Sequence, residues 1–223
     1  MKVKLISHTP NPEELVAKAG KLCYSEVGVD EISDKLTKED IEKFVSHITK
    51  VGHGSVLEHI SFTFAIEGVS RALSLQLVRH RIASYSQQSQ RYVSMDSPDF
   101  IVPNTINNDS EAYNEFCNIT NEIAKSYNKL IDLGIPKEDA RSVLPNATET
   151  KLVVTMNARA LLNFLSLRHC KRTQEEIRIL AIEMLRLVKE VAPNVFKYAG
   201  ASCVSGKCNE GSQTCGKPYD RVE

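Results

Sequence analysis

Several absences narrow the reading before any motif is considered. No apolar run approaches the roughly 20 residues that a membrane-spanning helix needs. The start, MKVKLISHTPNPEE, has no signal-peptide apolar region. A cytoplasmic protein without a membrane partner is therefore expected. Charge of one sign is also missing: 28 Lys and Arg against 28 Asp and Glu leave no net charge. A general nucleic-acid binder would carry a basic excess along one face, so no nucleic-acid partner is expected. Neither G-x-G-x-x-G after a strand nor G-x-x-x-x-G-K-[ST] occurs, which removes the two common phosphate-cradling fingerprints. The last absence is local: residues 68–95 contain not one Asp or Glu.

Within that acid-free stretch, residues 79–91 read RHRIASYSQQSQR, with three arginines, one histidine and four hydroxyl side chains. Arg suits planar, bidentate contacts to phosphate or to an enolate-like oxygen, and Ser and Tyr hydroxyls fill the remaining positions. The bland alternative is a solvated basic face at a helix end. The preceding SRALSLQLV is apolar enough for a buried helix, so Arg79, His80 and Arg81 emerge from a core element. A buried guanidinium with no carboxylate beside it costs several kcal/mol, which makes a ligand anion its natural partner.

In chain order, residues 2–7 alternate weakly and suit a first strand. Asn11, Pro12 and Glu13-Glu14 predict a capped helix to about Tyr24, and the polar stretch to Leu36 reads as a loop. Thr37 with Asp40 forms a capping box, opening a helix with Ile41, Phe44, Val45 and Ile48 on one face that Gly52 ends. Residues 60–67 alternate cleanly, with Ile60, Phe62, Phe64 and Ile66 on one side: a half-buried strand. His53, Glu58 and His59 could be imagined as metal ligands, but no fourth ligand stands at a recognisable spacing, and a capped turn entering a strand is preferred. A short FIVP strand follows at residues 100–103. Asp109 then caps a long helix with Cys117 on its apolar stripe, read as core. Pro136 opens a short helix carrying Arg141, residues 150–156 form a strand, and Asn157 caps a further helix through residue 170. Thr173 with Glu176 starts the last helix. Helices without a regular βαβ repeat indicate an α+β domain over residues 1–200, with helices packed around a central antiparallel-type sheet, and a cysteine-rich tail at 201–223.

Arg79-His80-Arg81, seven residues and then Ser89 match R-H-R-x7-S, and the chain is identified on it as resembling the flavin-dependent thymidylate synthases. The resemblance continues into Arg91 and Tyr92 and runs in order through GHGSVLEHISFTF, ARSVLP and MNARALLNFLSLR. It implies a homotetramer with active sites at subunit interfaces, tightly bound FAD, and methylation of dUMP to dTMP with 5,10-methylenetetrahydrofolate as carbon donor and NADPH as reductant. It further implies that Gln76, Leu77, Val78, Arg79, Gln87, Ser89, Arg91 and Arg141 hold dUMP. His53, Ser55, Arg79, His80, Arg81, Gln87, Asn157, Arg159 and Asn163 would hold FAD, and Arg168 would touch the uracil ring. From the residues alone, Asn157 is explained by capping and Arg159 by solvation. The chain departs from the family where Ser86-Gln87 replaces the usual Asn-Glu, where Glu175 replaces an aromatic, and where Cys23 stands in place of a flavin-contacting Ser.

Uracil C5 must be made nucleophilic before it can be methylated. No cysteine lies in the electropositive polar setting that would generate an attacking thiolate, Cys170 being the nearest approach. A guanidinium beside N3 and O2, stabilising the deprotonated ring, is the other route, with Arg168 as the candidate. Ser89 has no His placed as its base and reads as a phosphate or uracil ligand. Cys203, Cys208 and Cys215, spaced C-x4-C-x6-C, could join Cys170 in a four-thiolate zinc site. That spacing is looser than a C-x2-C pair, free thiols on a flexible tail are preferred, and no metal ligand is assigned. Two rival readings are a non-catalytic nucleotide- or RNA-binding protein using residues 79–91, and an assembly protein whose cysteine tail is the active feature.

Overall fold

A computed structural model describes residues 1–220; the last three residues of the cysteine-rich tail lie outside the described residues. The chain runs β1 (Lys2–His8), α1 (Pro12–Leu22), α2 (Val29–Lys35), α3 (Lys38–Val51), β2 (Ser61–Ser70), α4 (Arg71–Leu77), β3 (Ser84–Gln87), α5 (Asn104–Asn107) and α6 (Ser110–Asp132). It continues with α7 (Lys137–Ala140), β4 (Glu149–Asn157), α8 (Ala158–Arg168), α9 (Glu175–Val191) and α10 (Ser202–Ser205). The strands form one sheet in the order β1-β2-β4-β3. Lys2 Nζ meets Glu67 at 3.2 Å while Thr9 N donates to Ser61 O at 3.0 Å, so β1 and β2 are antiparallel. The Thr63 and Thr155 hydroxyls meet at 2.9 Å and Arg71 N donates to Thr148 O at 3.0 Å, which fixes the same sense for β2 and β4. The expected mixed α and β fold with an antiparallel sheet is what the chain adopts.

The alternation read at residues 60–67 is the burial pattern of β2: Phe62, Phe64 and Ile66 are fully buried, with Ser61, Thr63 and Ala65 half buried and Glu67 exposed between and beyond them. In β4 the inward set is Thr150, Leu152, Val154 and Met156. Each large side chain so removed from water stabilises the fold by about 1.5–3 kcal/mol.

Two compact units divide the described chain: residues 1–2, 66–79 and 85–153 in one, and 3–65, 80–84 and 154–220 in the other. In the first, Tyr127 of α6 is fully buried with Met95 and Ala140, and Leu130, Ile131, Val143 and Leu144 pack on them. Met95 N donates to the Tyr127 hydroxyl at 3.3 Å, which supplies the polar partner a buried phenol needs. In the second, α1 and α3 contribute Val16, Ala17, Val45 and Ile48, and α8 and α9 contribute Leu161, Phe164, Leu165, Leu180, Met184 and Val188. The edge of Phe62 stands on Phe196, with ring centroids 5.4 Å apart.

Thr37 and Asp40 form both halves of the capping box at α3, and Gly52 closes that helix at φ +79°, a conformation that a side chain would strain. Other local expectations are corrected. Residues 29–35 form a helix and not a loop, because Ile32 supplies one buried anchor. Asn11 does start α1, but from φ 44° with no side-chain cap bond. The FIVP strand is reduced to an isolated bridge from Phe100 to Thr148. Cys117 is only partly buried, since α6 buries Thr120 and Tyr127 and leaves much of its apolar stripe uncovered. Helix α8 stops at Arg168. Gln174 is the cap of α9, its side chain accepting from Ile177 N, while Thr173 donates instead to Leu167 O at 2.9 Å.

Candidate active site

In the first unit, Ser70 caps α4 by accepting from Leu73 N, and α4 carries Gln76, Leu77, Val78 and Arg79 to its C-terminal end. Only Leu73, Ser74 and Leu77 are buried, while Leu75 and Val78 are exposed, so this helix is half covered and not a core element. Tyr85 returns its hydroxyl to Leu77 O at 2.9 Å, and burial pushes its pKa up to about 12, so it stays a neutral donor. Gln87 is fastened from two sides: its Nε2 donates to Ser74 Oγ at 3.0 Å and to Thr150 Oγ1 at 3.1 Å. That spends the amide donors and leaves its carbonyl oxygen for any ligand. Ser89 Oγ accepts from Arg91 N at 3.2 Å in a short hydroxyl turn.

Arg91 corrects the expectation of a cation without an acid. It is exposed, and its Nε lies 2.7 Å from Glu138, a carboxylate brought in from far along the chain. Arg141 donates its Nε to Glu138 O at 3.0 Å. The half-buried Arg71 has its pKa lowered first by burial and then by the charge of Arg141. Two guanidiniums close enough to repel, in the same unit as Arg79 and Arg91, add a residue that reading the motif missed. Arg71 stands in the acid-free stretch, but its place as the first residue after a cap carries no signal of its own.

In the second unit, His53 and Ser55 are exposed on the turn between α3 and β2, where a single 3-10 turn (Ser55–His59) carries Glu58. Arg159 of α8 lies across that turn. Its side chain passes so close to Gly54 that an added Cβ would meet Nε at 3.2 Å and Cδ at 3.3 Å, and Nη1 donates to Glu58 at 2.5 Å. Asn157 caps α8, with Oδ1 accepting from Ala160 N at 2.8 Å, and Asn163 is exposed one turn and a half further on. His80 is half buried with its ring edge-on to Phe164, centroids 5.9 Å apart. Burial lowers its pKa, a hydrogen bond with the Ala160 backbone opposes this, and the charge of Arg168 lowers it further. His80 and Arg168 are thus neighbours in a region where Arg168 is the charged member and His80 is held neutral.

Arg79 and Arg81 are exposed, so the cost of a buried guanidinium is not what calls for an anion there. What stands is narrower: among the described residues no carboxylate lies within ion-pair distance of Arg79, Arg81, Arg141 or Arg168, while Arg91 and Arg159 each have one. The open, uncompensated cations are suited to phosphate oxygens. The exposed His53, Ser55 and Asn163 present polar groups free to receive a large polar cofactor. Among the described residues no helix is long and apolar enough to cross a membrane.

A four-stranded antiparallel sheet flanked by helices, carrying R-H-R-x7-S after α4, is the setting in which residues 4–194 match the family described as thymidylate synthase complementing protein. The chain is 55% identical to a flavin-dependent thymidylate synthase of Geobacter sulfurreducens, covering 97% of this chain and 94% of that protein. It is 52% identical to one of Clostridium tetani with the same coverage, and 44% identical to one of Pyrococcus horikoshii over 94% of this chain and 90% of the relative. The chain belongs to the flavin-dependent thymidylate synthase family and is an enzyme of that family. The rival readings as an RNA-binding or assembly protein are not favoured by these likenesses.

Proposed function

We propose that the protein is a cytoplasmic, homotetrameric enzyme that converts dUMP, 5,10-methylenetetrahydrofolate, NADPH and a proton into dTMP, tetrahydrofolate and NADP+. The observation that carries this reading is full-length similarity to flavin-dependent thymidylate synthases together with arginines left without carboxylates. Arg79 and Arg141, with Arg91 once it is shared with Glu138, neutralise the phosphate of dUMP. Gln76, Leu77, Val78, Gln87 and Ser89 supply main-chain and side-chain hydrogen bonds that fix its orientation. Arg71 adds a cation near Arg141.

In this reading Arg168 stands beside N3 and O2 of uracil. A fixed guanidinium lowers the free energy of the deprotonated ring and moves electron density toward C5 without a thiolate, and a preorganised donor of this kind is worth about 10²–10³-fold in rate. Neutral His80 beside it adds no second positive charge to repel Arg168. FAD would be held by His53, Ser55, Arg79, His80, Arg81, Gln87, Asn157, Arg159 and Asn163, of which His80, Gln87 and Asn157 are half buried and the rest exposed; when bound it would supply the hydride step, recharged by NADPH. Arg159, braced on Gly54 and Glu58, holds its fork in a fixed direction toward such a group.

Release of tritium from C5-labelled dUMP, with NADPH and methylenetetrahydrofolate, tests the reading. The wild-type protein is expected to be yellow and active, and Arg168→Ala to lose activity about 10²–10³-fold while keeping its flavin. A colourless, inactive wild type, or an Arg168→Ala enzyme as fast as wild type, overturns it.

A further inference from the structure

The tail's cysteines do not supply a metal site: among the described residues no group of three or more His, Cys, Asp or Glu side chains could hold an ion. What the tail does build, with the end of α3 and one side of α8, is a cavity of about 700 Å³. Small-molecule sites typically occupy about 300–1,000 Å³. Every residue lining this one belongs to the second unit. We propose that the cavity binds the anionic arm of a co-substrate, through its phosphate or carboxylate oxygens, on Lys50 and Lys207. The site rests on the proposed function, which calls for two anionic co-substrates and leaves both without a place.

The chemistry of the lining is one-sided. Lys50 and Lys207 are both exposed, no Asp or Glu lines the cavity, and among the described residues no carboxylate lies within ion-pair distance of either ammonium. Other lysines of the same unit are placed differently: Lys18, Lys35 and Lys43 each meet a Glu one helical turn back, at 2.6, 2.5 and 2.5 Å. Thr49 and Ser166 spend their O–H groups on carbonyls of their own helices, Val45 O and Asn163 O, both at 2.8 Å. Ser202 instead accepts from Asn209 N at 3.1 Å, which leaves its O–H as a donor to a ligand. Unpaired cations with free donors and no acid call for a ligand rich in acceptors, and an ammonium serves phosphate or carboxylate as a point charge. Leu162 and the half-buried Tyr198 add an apolar wall against which a planar ring can lie.

The position of the cavity fits a co-substrate. Lys50 stands in the last turn of α3, and His53 N donates back into that turn, to Ile48 O at 3.0 Å. On α8 the Ser166 hydroxyl sits on the carbonyl of Asn163. Two walls of the cavity are therefore continuous with His53 and Asn163, which the proposed function assigns to the flavin. NADPH and methylenetetrahydrofolate each carry a planar ring that must meet the flavin and negative charge at some distance from it, in the phosphates of one and the carboxylates of the other. Charge held on the two lysines leaves the ring end free.

The test is binding to the full-length protein without turnover, by equilibrium dialysis of NADP+ and, separately, of tetrahydrofolate, which lacks the methylene group. In a Lys50→Gln, Lys207→Gln double variant, one of the two should bind roughly 10–100-fold more weakly, with dUMP affinity and flavin content as in the wild type. A Lys50→Arg, Lys207→Arg double variant should restore most of that affinity. Weakening of NADP+ alone assigns the cavity to the reductant's phosphates, and weakening of tetrahydrofolate alone to the carbon donor's carboxylates. In the wild-type protein, acetylation of Lys50 and Lys207 by acetic anhydride, followed by mass spectrometry, should slow when the same ligand is present. Both ligands binding the glutamine variant within about twofold of the wild type, or both lysines acetylated equally fast with and without them, overturns the assignment, whether or not the enzyme releases tritium from dUMP.

Discussion

Replacing Gln87 with Leu isolates what the second anchor of the R-H-R-x7-S segment contributes. Leu keeps most of the side-chain volume but removes both amide donors. The lost bonds, at 3.0 and 3.1 Å, end on the hydroxyls of Ser74 and Thr150, whose residues are 1% and 2% exposed. Water does not reach either hydroxyl to replace the donor, so each loses a net contribution of about 1 kcal/mol. Ser74 Oγ still donates to Arg71 O at 2.9 Å, which keeps it from being orphaned and holds the total near 2 kcal/mol rather than double that. In a chain of this size, 1 kcal/mol moves the thermal midpoint by about 2–4 °C, so a fall of about 4–8 °C is expected by scanning calorimetry. Ser86→Ala, on the exposed face of the same short strand, should move it by less than about 1 °C. Gln87→Leu melting with the wild type would show that the two buried hydroxyls are satisfied without the amide, and that fastening them is not why Gln87 stands where a carboxylate is usual.

Thr37→Ala removes the hydroxyl half of the capping box at α3, which accepts from Asp40 N, and leaves the backbone N–H on the Asp40 carboxylate; a loss of about 1 kcal/mol is expected from urea unfolding. Burial lowers the pKa of His80 and of His169 in the fold. The unfolded chain therefore binds protons first as pH falls below about 6.5, so stability is full above that value and declines below it. The thermal midpoint should be lower at pH 5.5 than at pH 7.5, and a His80→Phe, His169→Phe double variant should flatten that dependence.

Much of the frame is legible because it rests on local chemistry. The alternation from Ile60 to Ile66, the Thr37–Asp40 box, the stop at Gly52 and the Asn157 cap all depend on residues a few positions apart, and all form. Failures come where the deciding partner is distant. Ile32 makes a helix of a polar stretch by finding a buried place, which composition around it does not reveal. The stripe of α6 has helical spacing, but spacing alone does not say what covers it, and Cys117 is left only half buried. At Arg91 the local absence of acids is real and still points to the wrong environment, because Glu138 arrives from a different segment.

The same distinction separates the two cation sets. Arg91 and Arg159 are each steadied by a carboxylate, Glu138 and Glu58, at 2.7 and 2.5 Å. An exposed pair of this kind contributes at most about 1 kcal/mol to stability. Its stronger effect is on direction: a guanidinium held at one edge presents its remaining N–H groups along a fixed line, while the unpaired Arg79, Arg81, Arg141 and Arg168 keep their full charge for a ligand. Neutral His80 beside Arg168 follows the same logic, since a second cation there would repel the first and a carboxylate would quench it. Under the proposed function, activation of a pyrimidine ring needs an unshared positive charge at the ring. In this chain the unshared members are those that no carboxylate among the described residues reaches, Arg141 included although Glu138 and Asp139 precede it closely in sequence.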